Sequence, residues 1–326
     1  MSSRNQVLLI GVLFVAVAIA QKILIPFDAQ AVAASVVVPP ELLFVVGGFE
    51  ITNTLLTSWI AMLILVVFVF LATRQMNLVP SGAQNLLETL IEAILGLCES
   101  VAGERGKKFF PIVATIFLFV IASNLLGLIP GFGPIGTITL EHKEPAKSLL
   151  VFDIPQIFAP QHEEEGAVPG LAPFVRSPST DINFPLALAL ISVVLTQIFG
   201  VQALGFVGYV SKFFNFKRVG TFFGGLLRGK AKIGDLLFGF MDVFVGLVEL
   251  ISELSKIISF TFRLFGNIFA GEVMLLIMSF LFLAFPLLFY AFEVFVGGVQ
   301  AFVFGILTLA FMSIATTPHS AEEHHA

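Results

Sequence analysis

Charge is scarce in this chain. Asp, Glu, Lys and Arg make up 12% of its 326 residues, about half of the roughly 25% found in a soluble domain. With 57% hydrophobic residues and a mean hydropathy of +1.01, this excludes an ordinary soluble domain and places the chain in a bilayer as one polytopic unit. Cysteine is almost absent: Cys98 stands alone, so an internal disulfide and a multi-cysteine metal site are excluded, and Cys98 is expected to be a small apolar filler. One tryptophan and two tyrosines against 38 phenylalanines argue against a strong aromatic belt at the membrane interface. An excess of positive charge is also missing. The net charge of −5 speaks against a nucleic-acid partner. No G-x-x-x-x-G-K loop occurs, so no nucleotide phosphate cradle, no cofactor and no bond chemistry are expected in this chain. The histidines and acids of "EHKEPAK" and "QHEEEG" match no metal-ligand spacing, and no metal site is expected.

What is present is a series of long apolar runs. Residues 1–50 form a leader and linker: Arg4, an apolar run and Ala18-Ile19-Ala20 have the shape of a signal peptide, and an uncleaved anchor is equally open. Either way Gln30 to Glu50 lie outside the cytoplasm. Residues 51–326 form the membrane domain. A first span is predicted over Thr54–Ala72, close to the roughly 20 residues a membrane helix needs. In "PSGAQNLLETLIEAILGLCESVAGERGKK" apolar residues recur at helical spacing with Glu88, Glu92 and Glu99 between them, which predicts an amphipathic packed or interfacial helix. Phe109–Ile129 and Phe184–Val210 read as further spans, with Asp181 or Asn183 as an N-cap for the latter. Between them, Gly131–Thr180 reads as a polar, acidic, solvated loop.

Six basic residues, Lys212, Lys217, Arg218, Arg228, Lys230 and Lys232, follow the third of these spans. Together with Arg74, Arg105, Lys107 and Lys108 they orient the chain with basic loops in the cytoplasm and the acidic loop outside.

From Ile233 to Phe285 there is no proline. A continuous helix of that length runs to roughly 75 Å at 1.5 Å per residue, against a hydrocarbon core of about 30 Å. The segment must therefore fold back or lie steeply tilted. Leu287–Ile314 returns from it. The fold predicted is an all-α polytopic membrane protein of five to six membrane helices, with a long, strongly tilted helical hairpin near the C-terminus.

That element carries charges at spacing seven: Asp235, Asp242, Glu249, Lys256 and Arg263. They trace one slowly drifting stripe, and Glu253 can join it. Water explains Asp235 and Asp242. It does not explain Arg263, flanked by "IISFTF" and "LFGNIFAGE". A charge at the bilayer centre costs about 2.5 to 3.5 kcal/mol on the mildest scale, and guanidinium does not shed its proton. Glu249 and Glu253 lie more than two turns back, and Glu272 about 13 Å on by helical rise. No carboxylate of the same helix is placed to hold Arg263 tightly. The spacing thus points to a partner from elsewhere, with a static inter-helix ion pair as the alternative. Asn267, one turn on, shares its face. Glu272, Glu293 and Gln300 are further polar groups in apolar surroundings, the last two seven apart on one face. Carboxylates inside a membrane read as proton-handling groups by default, with hydrogen bonding between helices as the alternative.

These residues carry a resemblance. "RLFGNIFAGE" and "QAFVFGILT", with "ELISELSKIISFTF", "SNLLGLIPG" and "STDINFPLALAL" upstream, closely resemble subunit a of the F-type ATP synthases, from about Glu50 to Ile314. The resemblance implies the stator of the Fo proton channel, with two half-channels beside a ring of c subunits, b-type peripheral stalk subunits as further partners, and the lipid bilayer around them. It implies that Arg263 is the essential arginine facing the ring carboxylate. Asn267, Glu272, Glu293 and Gln300 would belong to the outer half-channel and Glu249 to the cytoplasmic side. Glu293 falls where some members have histidine, so acids stand at both Glu272 and Glu293. The implied location is a bacterial-type inner membrane with a cytoplasmic C-terminus. Sodium is the alternative coupling ion. A secondary transporter and a purely structural scaffold are the rival functions; no internal repeat supports the former.

Overall fold

The computed structural model describes residues 40–129, 136–139, 170–213, 233–281 and 285–317. The leader (1–39), the acidic stretch with His142 and His162, most of the basic loop after Phe213 and the polar tail lie outside the described residues. An antiparallel hairpin comes first, β1 (Leu42–Val46) and β2 (Phe49–Thr52), turned by Gly47 and Gly48 at φ 59° and 87°. Both positions require the left-handed freedom of glycine. Helix α1 (Asn53–Thr73) follows at once. Thr52 Oγ1 accepts from the Leu55 amide at 3.3 Å, satisfying one of the free donors of the first turn.

Helix α2 (Ala83–Ala102) meets α3 (Gly106–Gly127) through a single 3₁₀ turn, Gly103–Arg105. The backbones come so close there that a Cβ on Gly106 would collide with the Cys98 carbonyl. Strands β3 (Gly136–Thr139) and β4 (Gly170–Pro173) pair antiparallel. Helix α4 (Asn183–Leu204) then stops short of the predicted Val210. Gly205, at φ 73°, breaks it, and the short α5 (Phe206–Phe213) runs on separately.

The proline-free segment is a single 49-residue helix, α6 (Ile233–Leu281), followed by the 31-residue α7 (Phe285–Ala315). Of the two options open in the sequence, folding back within the run is therefore excluded. A helix about 74 Å long cannot stand upright in a core about 30 Å thick. Helix α7 folds back on α6: Lys256 and Phe260 meet Phe311, Phe260 also meets Phe304, and Gly271 meets Glu293. The falling partner numbers make the pair antiparallel. Among the described residues, four helical stretches are long and apolar enough to cross a membrane: α1, α2 with α3, α4, and Leu287–Ala315 of α7.

Two compact units divide the chain. The first takes residues up to Val67, Phe119–Asn183 and Leu264–Ala301; the second takes Phe68–Leu118, Phe184–Arg263 and the chain from Phe302. The second has an apolar core of Ile94, Cys98, Phe109, Val113, Leu309 and Met312. Cys98 is fully buried in it, as expected of a filler. The interior of the first is largely polar.

The structure corrects the reading of Gly131–Thr180 as a solvated loop. Its last residues, Arg176 to Thr180, are buried, and Asp181 with them. Serine, proline and threonine marked this stretch as surface. In the fold Arg176, Ser179 and Asp181 find helix side chains in place of water.

Candidate functional site

Arg263 ends the part of α6 that belongs to the second unit. Its side chain is exposed. Among the described residues its hydrogen-bond partner is Ser259 Oγ, 3.3 Å away and one turn back on the same helix. A neutral hydroxyl at that distance is a weak acceptor. Asn267, four residues on, is also exposed. The sequence places a cation on this helix without a carboxylate at helical spacing, and no ion pair to Arg263 occurs among the described residues.

The first unit is organised around the segment between β4 and α4. Asn53 Nδ2 donates to the Pro173 carbonyl at 3.3 Å, and the Arg176 amide donates to Thr57 Oγ1 at 3.2 Å. Ser179 Oγ donates to Asn124 Oδ1 at 2.6 Å, and Asn124 Nδ2 reaches the Gly297 carbonyl on α7 at 3.2 Å. Thr54 donates to Asp181 Oδ2 at 3.0 Å. Asp181 Oδ1 accepts from the Asn183 amide at 3.0 Å, so the aspartate caps α4 and ties it to α1 as well. From this segment the Arg176 guanidinium reaches α6. Its Nε lies 3.0 Å from Glu272 Oε1, and its Nη2 lies 3.1 Å from Oε2. Glu293, on α7, is buried with its carboxylate against Gly271. Gln300 lies two turns further along α7 and is half-buried. The structure thus brings Glu272 and Glu293 into one unit, and adds Arg176 to them. The hydroxyls of Ser123, Ser177 and Tyr290 are buried without a hydrogen-bond partner among the described residues. Such groups are usual places for bound water.

A second polar group lies in the other unit. Tyr209 of α5 donates to Gln197 Oε1 of α4, and Gln197 Nε2 donates to Glu253 Oε2 of α6 at 2.9 Å. Lys256 Nζ is 2.6 Å from Glu253 Oε1 and 4.5 Å from the centre of the Phe311 ring. Glu249, one turn before Glu253, is half-buried.

Sequence reading missed Arg176, Asn124 and Gln197. The last two were findable, as amides within the apolar runs of α3 and α4. Arg176 had no such signal, because its neighbours in sequence are those of a surface loop.

The close seating of Glu293 on Gly271 gives one expectation. Gly271→Ala must push the carboxylate aside, because an added Cβ would overlap it. If Glu293 handles protons, as the resemblance implies, proton conduction should fall severalfold with assembly unchanged, measured as passive conductance of the membranes. Wild-type conductance would separate Glu293 from the pathway.

Fold and side chains together define a class: a helical multi-pass membrane protein with charged groups set into its apolar helices. Within that class the chain belongs to the ATP synthase A chain family, whose model matches residues 55–313, and it is thereby tied to ATP synthesis and ion transport. It is 30% identical to "ATP synthase subunit a" of Moorella thermoacetica over 76% of this chain and 82% of that protein. Against the protein of the same description from Geobacter sp. strain M21 the identity is 31%, over 73% of this chain and 76% of the other.

Proposed function

We propose that this chain is the stator subunit of an Fo proton channel, working against a ring of c subunits and held by b-type peripheral stalk subunits. Arg263 faces the ion-binding carboxylate of the ring. Glu272, Glu293, Asn267 and Gln300 serve a half-channel from outside, and Glu249 serves one from the cytoplasm. The chain sits in a bacterial inner membrane with its C-terminus in the cytoplasm and binds no nucleotide. Protons are the coupling ion in this reading, and sodium is the alternative.

The observation that carries it is the exposed guanidinium of Arg263, with Ser259 as its weak partner. A permanent cation in an apolar setting, with no ion-pair partner among the described residues, calls for an anion from another chain. The orphan hydroxyls and the polar lining of the first unit support water on one side of the helix pair. The physics of the cycle follows. A ring carboxylate arriving opposite Arg263 is favoured in its charged form by Coulomb attraction, gives up its proton and is reloaded after rotation. The same fixed charge repels a proton that would cross directly between the half-channels.

A cross-link tests the pairing. Cys98 is buried, so a cysteine introduced as Asn267→Cys is the reactive thiol among the described residues. A photoreactive maleimide attached there should capture a c subunit in native membranes. Capture of lipid or of stalk subunits alone, in a complex that retains its ring, would remove the ring from opposite this face.

A further inference from the structure

Arg176 falls within Gly131–Thr180, the stretch that the sequence marks as an outer loop. The fold makes it a buried fixture. Its side chain is 7% exposed, and both its Nε and its Nη2 donate to Glu272. The backbone beneath it is fastened at Pro173, at its own amide, at Ser179 and at Asp181. Ser177, the next residue, packs directly on Gly127 of α3, where a Cβ would collide with it. Little freedom remains for the guanidinium to swing away. Glu293, across the helix pair, differs. It is buried against Gly271 and makes no hydrogen bond or ion pair among the described residues.

We infer that Arg176 is a positioning residue for proton transfer: it holds Glu272 as a fixed, ionised carboxylate, leaving Glu293 as the group of this unit that takes up and releases the proton. This rests on the proton-channel reading above. The argument is one of charge. Arginine stays charged, and its planar fork matches the two oxygens of a carboxylate. Protonating Glu272 would take the counter-charge from a cation that is itself buried. Glu293 faces the opposite cost, since a buried carboxylate without a cation is expensive to ionise. The fixed anion at Glu272, next in sequence to the Gly271 on which Glu293 rests, adds to that cost. Two acids in one unit thereby take different roles, set by which of them the arginine reaches.

Dicyclohexylcarbodiimide separates the two states, because it adds to protonated carboxyl groups. The acid proton passes to a carbodiimide nitrogen, a carboxyl oxygen bonds to the central carbon, and rearrangement leaves a stable acylurea with no leaving group. The intact complex in native membranes is treated with this reagent, and adducts on Glu272 and Glu293 are quantified by peptide mass spectrometry. Glu293 should carry severalfold more adduct than Glu272. Arg176→Lys, which keeps the charge, should preserve that ratio, and Arg176→Gln should bring adduct onto Glu272. Equal adduct on both acids in the native complex, or none on Glu293, overturns the assignment. The native ratio and the lysine variant decide the matter even where Arg176→Gln does not assemble. The readout is independent of rotation, so a failure of the motor reading, seen as coupling that survives loss of Arg263, is distinguishable from a failure here.

Discussion

Replacing Arg263 with alanine should abolish ATP-driven proton pumping, by about 10²-fold or more, on the scale seen when a single preorganised charge or donor is removed from a transition state. The complex should still assemble. Two unit charges 4 Å apart attract by about 4 kcal/mol at an effective dielectric of 20. That is enough to favour the ionised ring carboxylate by roughly three powers of ten. On the proposed reading, without the cation the arriving carboxylate keeps its proton and the ring has no reason to exchange it. Among the described residues Arg263 makes a weak hydrogen bond to Ser259, so its removal breaks no ion pair here and should cost little stability. Acidification of inverted membrane vesicles by ATP reads the first quantity, and recovery of intact complex in detergent reads the second. On the proposed reading the cation separates the pathways and carries no proton itself, so passive proton conductance should not fall in parallel. Arg263→Lys keeps the charge and loses the planar fork, so it should recover only part of the pumping. Pumping above half of wild type in the alanine variant would end the motor reading. Loss of assembly with no other defect would favour a structural scaffold.

Much of this fold was legible because the membrane removes options. A chain with so little charge must satisfy its backbone within helices, and apolar runs of about 20 residues mark where. Helix α1 lies within one residue of the predicted Thr54–Ala72, since an uncharged run between polar flanks leaves no other choice. The length of α6 was readable from the missing prolines. Its single-helix form was not, because five glycines in the run gave plausible breaks that packing overrides. Gly246, for one, is where the end of α5 comes against the helix: a Cβ there would collide with the Phe213 carbonyl. The helix ends at Leu204 and not at the predicted Val210 because the break depends on one positive φ at Gly205, which composition does not reveal. The polar residues of α6 and α7 stood out against apolar neighbours, and Arg263, Glu272 and Glu293 could be named from that contrast. Their partners could not. Arg176 reaches Glu272 across 96 residues, and Gln197 reaches Glu253 across 56. Hydrophobic periodicity carries no information about such pairings.

The pairing in the second unit gives the other large expectation. Glu253→Leu should cost about 3–5 kcal/mol, the usual penalty for stranding one member of a buried ion pair. Side-chain exposures of 11% for Glu253 and 19% for Lys256 put the pair well within that regime. The loss has two parts. Among the described residues Lys256 is left with the face of the Phe311 ring beside it, and a desolvated cation–π contact offsets about 2 kcal/mol. Gln197 loses the acceptor for its amide, and with it the order that Tyr209 gains from the other end of that side chain. The single variant should therefore give a sharply lower yield of assembled complex and an earlier loss of its native size on heating. The double variant Glu253→Leu/Lys256→Met removes both charges and keeps most of the volume. Replacement of a buried pair by apolar groups is often neutral, so the double variant should recover most of the stability. Pumping in the recovered complex then assigns the pair. Near-normal pumping makes it a lock between α4, α5 and α6. A stable complex that does not pump would place Glu253, beside Glu249, in the cytoplasmic pathway. A double variant no more stable than the single one would mean that the two charges do not depend on each other, against the 2.6 Å contact between them.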